Sequence, residues 1–425
     1  MQPTVRMVAV EKLIYHLRKA GKESYLIGGC VRDRILANLP KDYDIVTNAV
    51  PDEVMAIFPD CSKPVGAKFG VVLVTINEES FEVATFRAEG AYSDHRHPDA
   101  VVYSKTLAED VQRRDFTINA LALDIETGEL VDLTGGVMDI AHKKIRCIGD
   151  PNRRFEEDAL RLLRAIRFAA RLDFQIDEPT WGAMRVNAPL LAEISGERKR
   201  EELIAMLSQP RAVRALELLL LSNLLDYLLP ELDTDFGRVL RRLNQMPAIS
   251  WSSAYGQAVK DHVLIALSLL FLDLGTTARK NALLGLKFST ADAAQITNII
   301  TKAQVWSCIP DWNLAAQRRY RRDADYDLIR QVALHDYFAR PAYTGGQRAF
   351  HRVDQFMSAT GLPGTYPKVL LNGDDLIALG YKPSPAFGFV LHNLEDEQLE
   401  EKIKTREEAV AFVTTQLRNS PMAAS

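Results

Sequence analysis

Two aspartates separated by a single residue, Asp42 and Asp44 in Lys41-Asp-Tyr-Asp-Ile-Val46, have the spacing of a phosphoryl-transfer site. In a strand, alternate residues share a face, so the two carboxylates would stand together while Tyr43 and Ile45 face the other way. Like charges so close need a counter-charge. A pair of Mg²⁺ ions supplies it in phosphoryl transfer, one activating the attacking hydroxyl and the other neutralising a triphosphate and its leaving group. Upstream, Ile27-Gly-Gly-Cys-Val-Arg-Asp33 puts Gly28 and Gly29 ahead of a predicted helix. Bare backbone N–H groups there can approach phosphate oxygens, and Arg32 adds positive charge. Either feature alone reads as a solvated turn or a helix cap. Together, between predicted strands, they point to nucleotide chemistry. Glu82, in Phe81-Glu-Val-Ala-Thr-Phe86, is a third candidate metal ligand. A carboxylate buried unpaired in an apolar strand is costly, while an edge-strand glutamate facing water fits the pattern as well.

A second constellation lies in Phe155–Arg171, which the spacing predicts to be one amphipathic helix. At about 100° per residue, Phe155, Ala159, Leu162, Leu163, Ile166, Ala169 and Ala170 form the buried stripe. Arg161, Arg164 and Arg171 fall opposite, and Asp158 sits at the boundary as a neighbour of Arg161. A carboxylate only accepts hydrogen bonds and a guanidinium only donates them. Cytosine and adenine both present an amino donor beside a ring-nitrogen acceptor, so one Asp–Arg pair can accept both and reject guanine and uracil. The plain alternative is a surface ion pair of little energetic weight.

The elements that must position these residues divide near position 150. From Ser24 to about Asp150, short β-rich runs (Tyr25–Ile27, Tyr43–Val46, Val71–Ile76, Phe81–Phe86 and Leu121–Asp124) alternate with turns and short helices. After Pro151 the strand signals stop, and helical periodicity takes over in Phe155–Leu172, Glu197–Leu207 and Ala212–Leu229. The chain has 425 residues, 47% hydrophobic and 25% charged, enough for more than one globular domain. No apolar run is long enough to span a bilayer and no secretory leader is evident, so a cytoplasmic protein is expected. The four cysteines show no zinc-ligand spacing. A net charge of −4 means that any nucleic-acid contact must rest on local basic patches.

With these motifs in place, the chain resembles the class II, bacterial-type tRNA nucleotidyltransferases and their poly(A) polymerase relatives. The likeness is strongest over Tyr25–Leu203. Gly28-Gly-Cys-Val-Arg-Asp33 with Asp42 and Asp44 is similar to the catalytic motif of that family. Arg113-Arg-Asp-Phe-Thr-Ile-Asn-Ala120 resembles the ribose-contacting motif, which implies roles for Arg114, Asp115 and Asn119. Asp132-Leu-Thr-Gly-Gly136 resembles the hinge between head and neck. Glu157-Asp-Ala-Leu-Arg161 is similar to the amino-acid template for the incoming base, with Arg164 nearby and Glu157 supporting. Ile194-Ser-Gly-Glu-Arg198 with Glu202 resembles the motif that braces the template helix.

The resemblance implies an α+β, polymerase-β-like nucleotidyltransferase head at residues 1–150, followed by all-α regions. These are a neck at 151–230, a body at 231–364 and a tail at 365–425 that contacts tRNA. It implies Mg²⁺ as cofactor, ATP and CTP as substrates and the tRNA 3′ end as partner. No membrane association and no protein partner are expected. Pro64–Val72 and a C-terminus that is not basic favour the tRNA enzymes over poly(A) polymerases. So does Leu371-Asn-Gly-Asp-Asp-Leu376 with Gly380 and Lys382-Pro-Ser-Pro-Ala386, although Ser384 stands where the family often has glycine. The segment Ala88–Lys105, charged and without sustained period, reads as a loop that controls the final A addition. Arg318-Arg-Tyr-Arg-Arg322 reads as a solvated helix face, with a phosphate-contacting patch as the alternative. Asp261-His262 and His335-Asp336 lack partners for a phosphohydrolase metal site. The remaining alternatives are an A-adding enzyme, a poly(A) polymerase, or an RNA-binding protein that has lost its chemistry.

Overall fold

The computed structural model describes residues 5–65, 70–88, 102–232, 234–247, 257–341, 344–359 and 368–418. By contacts the chain forms two compact units. The first runs to Leu232 and includes Ala282–Lys287; the second comprises Asp233–Asn281 and Phe288–Ser425.

The first unit opens with α1 (Val5–Lys19), whose Ala9, Val10, Leu13, Ile14 and Leu17 are buried at helical spacing. There follow β1 (Ser24–Ile27), α2 (Gly29–Ile35), β2 (Asp44–Thr47), α3 (Pro51–Ile57), β3 (Ser62–Pro64), β4 (Val71–Ile76), β5 (Glu79–Thr85), α4 (Leu107–Gln112), β6 (Ala122–Leu123) and β7 (Leu130–Val131). The strands form one mixed sheet in the order β3-β4-β5-β2-β1-β6-β7. Only β2–β5 is a parallel pair; its neighbours are antiparallel. β2 lies at mid-sheet, so Ile45, Val46 and Thr47 are all buried and only Asp44, at its start, is exposed. β5 alternates, with Phe81, Val83 and Thr85 inward and Ser80 and Glu82 outward.

Next come α5 (Gly136–Ala141), β8 (Lys144–Ile145), α6 (Pro151–Glu157), α7 (Leu160–Leu172), β9 (Gln175–Ile176), α8 (Glu178–Asn187), α9 (Gly196–Leu207), α10 (Ala212–Leu221) and α11 (Leu225–Leu228). β8 and β9 pair in parallel, so a short strand interrupts the region where periodicity predicts helices alone. Asp132, in the expected hinge, accepts hydrogen bonds from the N–H groups of residues 134–137 and so caps α5. Gly136 lies so close to the Thr117 carbonyl that a Cβ there would collide with it.

The expected single helix over Phe155–Arg171 is two helices. Asp150 caps α6 with Pro151 in the first turn; α6 ends at Asp158, which is extended (φ −150°, ψ 99°), and the Asp158 carboxylate accepts the Leu160 N–H at 3.1 Å to start α7. The predicted helix over Ala212–Leu229 likewise divides into α10 and α11, with Asn223 left-handed (φ 61°) between them.

The second unit contains α12 (Phe236–Asn244), α13 (Gln257–Leu270), α14 (Thr276–Gly285, whose end joins the first unit), α15 (Thr290–Gln304), α16 (Leu314–Arg321), α17 (Tyr326–Ala339), α18 (Gly346–Ala359), α19 (Gly373–Ala378), α20 (Ala386–Leu399) and α21 (Arg406–Arg418). Fully buried Trp306 stacks on Phe350 at 5.4 Å. Leu371, Leu376, Val390, Leu394 and Val413 belong to a separate core around α19–α21. Among the described residues no helix is long and apolar enough to cross a membrane.

Candidate active site

The β1–α2 turn and the start of β2 lie side by side, because Ile27 pairs with Asp44 across the antiparallel ladder. Gly28 holds φ +81°, a conformation that side-chain-bearing residues avoid. A Cβ at Gly28 would lie 3.5 Å from Arg114 Nη1 and 3.9 Å from Asp44 Oδ2, so the glycine keeps open a space flanked by a cation and a carboxylate. Asp42 precedes β2 and is exposed. Ile45 pairs with Val83 in the parallel β2–β5 ladder, and continuing that register by one residue sets Asp44 beside Glu82 on the exposed face. Although Asp44 as a residue is exposed at the strand's start, partial desolvation of its carboxyl group raises it above its ordinary value; Arg114 opposes the rise, while Glu82 and Asp42 add to it. Asp44 is thus a carboxylate with excess negative charge around it, next to a gap left by a missing side chain, and a divalent cation would offset that charge. Among the described residues no three His, Cys, Asp or Glu side chains are grouped closely enough to hold a metal.

Behind the cleft runs a buried polar chain. Arg32, 2% exposed, donates from Nε and Nη2 to Asp33 Oδ1 (2.9 and 2.7 Å) and from Nη1 to Asn119 Oδ1 (2.5 Å). Asn119 Nδ2 donates to Asp115 Oδ1 at 3.2 Å, and Asp115 Oδ2 accepts both Nε and Nη2 of Arg164 at 2.9 and 2.7 Å. Burial alone would raise the Asp115 carboxyl, but Arg164, Asn119 and the Phe116 N–H hold it below the usual carboxylate range. Arg32 is therefore held by Asp33 and Asn119, and its Nη1 fixes the Asn119 side chain.

Across from the sheet, Arg161 and Arg164 depart from the solvent-facing placement that periodicity predicts. Arg161 is 8% exposed and Arg164 half-buried. The Arg161 N–H donates to the Asp158 carbonyl at 3.0 Å, but their side chains go to different partners. Arg161 Nη1 donates to Glu157 Oε2 (2.7 Å) and to the Arg154 carbonyl (2.8 Å), and Nη2 donates to the Arg113 carbonyl (3.2 Å). Asp158 Oδ2 instead accepts Arg198 Nη2 at 2.9 Å, and Glu202 accepts Arg167 Nε at 2.7 Å. Asp158 is extended (φ −150°, ψ 99°), so its side chain leaves the helix surface and turns to Arg198. Arg198 Nη1 is buried and has no hydrogen-bond partner, leaving a donor unfilled beside Asp158.

Three residues to which the sequence reading assigns no role are integral to the arrangement. Arg154 braces Glu157 at 2.8 Å, Asp33 anchors Arg32, and Asp110 binds Arg113 and Arg114. Asp110 stands three and four residues before those arginines, a spacing that marks helical ion pairs and was the available signal. Residues 89–101, most of the expected A-addition loop, lie outside the described residues. In the second unit the Arg318–Arg322 stretch is a partly exposed face whose arginines are paired with acids. Arg319 pairs with Glu395 (3.0 Å) and Asp396, Arg322 with Glu395 (3.2 Å), and Arg318 with Glu401.

Two family models match the chain, the poly A polymerase head domain over residues 24–146 and the probable RNA- and SrmB-binding site of polymerase A over residues 173–236. A CCA-adding enzyme of Lactobacillus helveticus is 33% identical over 395 residues, covering 93% of each chain. The chain belongs to the CCA-adding enzyme family. A Geobacillus relative of the same name is 49% identical over 216 residues, a match that spans 51% of this chain and 53% of that one, about half of each. Among solved structures, the Bacillus stearothermophilus CCA-adding enzyme in complex with CTP has a TM-score of 0.73 at 29% identity and covers 98% of both chains. The Thermotoga maritima CCA-adding enzyme complexed with tRNA shares the fold at TM-score 0.63 and 21% identity.

Proposed function

We propose that this chain completes tRNA 3′ ends in the cytoplasm, adding C, C and A from CTP and ATP with release of pyrophosphate. The observation that carries the reading is the meeting of Asp44, Glu82, Arg114 and side-chain-free Gly28 at one end of β2. Asp42 and Asp44 would hold Mg²⁺, with Glu82 on the same face. When bound, the metal eases deprotonation of the tRNA 3′-hydroxyl and offsets the triphosphate charge. Arg114 meets the incoming nucleotide at the open edge of Gly28, and Asp115 and Asn119 face the ribose. Arg164 and Arg32 fix their orientation, so little rearrangement is needed on binding.

Base choice rests on Asp158 and Arg161. Each is anchored by a partner of opposite charge, Arg198 and Glu157 respectively, and the anchors aim an acceptor and a donor at the base edge. The unfilled Arg198 Nη1 donor supports a polar ligand at this place, since leaving a buried donor unpaired costs about 1–3 kcal/mol. Names and substrates of the relatives, CCA-adding enzymes seen with CTP and with tRNA, favour this reading over a poly(A) polymerase.

The test uses purified protein, Mg²⁺, CTP and ATP with two tRNAs, one ending at the discriminator base and one ending in CC. Both should be extended to CCA and no further. Extension of the CC-ending tRNA alone identifies an A-adding enzyme, and a long A tail a poly(A) polymerase. A gel shift of tRNA without extension removes catalysis altogether.

A further inference from the structure

Asp110, on α4, is 0% exposed and uses both carboxylate oxygens. Oδ1 accepts the Arg87 backbone N–H (3.1 Å) and Arg113 Nε (2.9 Å), with Arg113 Nη2 also bound. Oδ2 accepts Arg114 Nε (3.2 Å) and Nη2 (3.0 Å). Two consecutive arginines and the backbone just beyond β5 thus converge on one buried anion. With Nε and Nη2 of Arg114 held, Nη1 is the edge left to face the cleft, and it is Nη1 that lies 3.5 Å from the position a Gly28 Cβ would take. Arg113, fixed by the other oxygen, presents its carbonyl to Arg161 Nη2 at 3.2 Å.

We propose that Asp110 is a positioning residue for nucleotide addition: it aims Arg114 into the carboxylate cleft and, through Arg113, registers Arg161 against the same cleft. The inference rests on the reading that Arg114 meets the incoming nucleotide. A carboxylate needed only for folding would be satisfied by any cation. Here, removing it would free the guanidinium nearest Gly28 and Asp44 together with the residue that supports Arg161.

The experiment compares wild type, Asp110→Asn, Arg114→Ala and the double variant, reading KM and kcat for CTP and ATP on tRNA and the melting temperature of each protein. Asp110→Asn keeps the shape and one acceptor. It should raise KM for both nucleotides about tenfold while kcat changes less than about threefold. Arg114→Ala should raise KM similarly, and the double variant should add no more than about twofold, because the two residues act in series. If Asp110→Asn does not fold, Asp110→Asn with Arg113→Gln removes the charge on both sides and carries the same expectation. Unchanged KM in the Asp110 variants, with KM raised by Arg114→Ala, overturns the proposal and leaves the Arg114 reading standing. Additive effects in the double variant overturn it too, by making Asp110 independent of Arg114. Unchanged KM in Arg114→Ala overturns both.

Discussion

Asp158 and Arg198, 40 residues apart in sequence, form an ion pair at 2.9 Å, and this contact holds in place the carboxylate proposed to read the base. Replacing Arg198 with Ala leaves Asp158 only the Leu160 N–H among its hydrogen bonds to other residues described above. UTP incorporation should rise about tenfold relative to CTP, which corresponds to about 1.4 kcal/mol of lost discrimination. Single-turnover incorporation of each nucleotide on one tRNA measures the ratio. An unaltered ratio in a folded, active variant would count against Asp158 as a base reader.

Asp42→Ala and Asp44→Ala should each lower CMP and AMP addition alike by about a thousandfold or more, since metal-dependent activation is common to every step and supplies several kcal/mol. Retention of either activity near the wild-type rate would exclude the residue from catalysis. Without Mg²⁺ the same carboxylate has an opposite effect on the fold. Its value is raised in the folded state, so ionised Asp44 costs stability at neutral pH, and that cost fades as pH falls through the folded-state value. Metal-free Asp44→Asn should therefore melt above wild type at pH 7, and the gap should close in acid; a lower melting temperature would contradict this.

The buried Asp115–Arg164 pair predicts an acid limit. Asp115 is held below its ordinary 3.8, so its contribution is complete well above that pH and is lost as pH drops through 3.8 toward the lower folded-state value. Arg164→Ala strands a buried carboxylate, at a cost of about 3–5 kcal/mol. The stranded Asp115 then titrates higher, so acid unfolding of the variant should begin at a higher pH than in wild type. Thermal melts from pH 3 to 7 would show the shift, and identical acid limits would refute it.

In the second unit, Arg319→Ala removes the contacts to Glu395, Asp396 and the His392 carbonyl that join α16 to α20. Partly exposed pairs of this kind contribute about 1 kcal/mol together and weaken with salt. Amide exchange in α20 should quicken in the variant, and in wild type at high salt, while CTP affinity stays unchanged. No change in α20 protection would make the pairs incidental.

What was legible in the sequence is placement over short spacings. Asp42 with Asp44, the Gly28-Gly29 pair and the Arg113–Asn119 run are local patterns, and the structure sets Gly28, Asp44 and Arg114 around one gap and links Asp115 and Asn119 in one buried chain. The break at Asp158 was not legible, because Phe155, Ala159 and Leu162 keep helical spacing across it and are all buried. Periodicity registers which residues face inward, and a one-residue joint preserves that. The partners of Asp158, Asp115 and Glu202 lie 40, 49 and 35 residues away, distances over which a single sequence carries no pairing signal. The ion pairs of the Arg318–Arg322 stretch were not legible for the same reason: its acids sit 73–83 residues further on.

Three hydrogen-bonded ties among the described residues join α7 to the sheet-bearing half of its unit: Arg164 to Asp115, Arg171 to Asp33 at 3.4 Å, and Arg161 to the Arg113 carbonyl. Their consequence is mechanical stiffness. To swing α7 away as a block would strip buried ions of their partners all at once, whereas turning a single side chain at the Asp158 joint disturbs one contact at a time. A frame of this kind adjusts its jaws and leaves its handle still, and if Asp158 reads the base as proposed, the passage from a pyrimidine to a purine would fall to a few torsion angles.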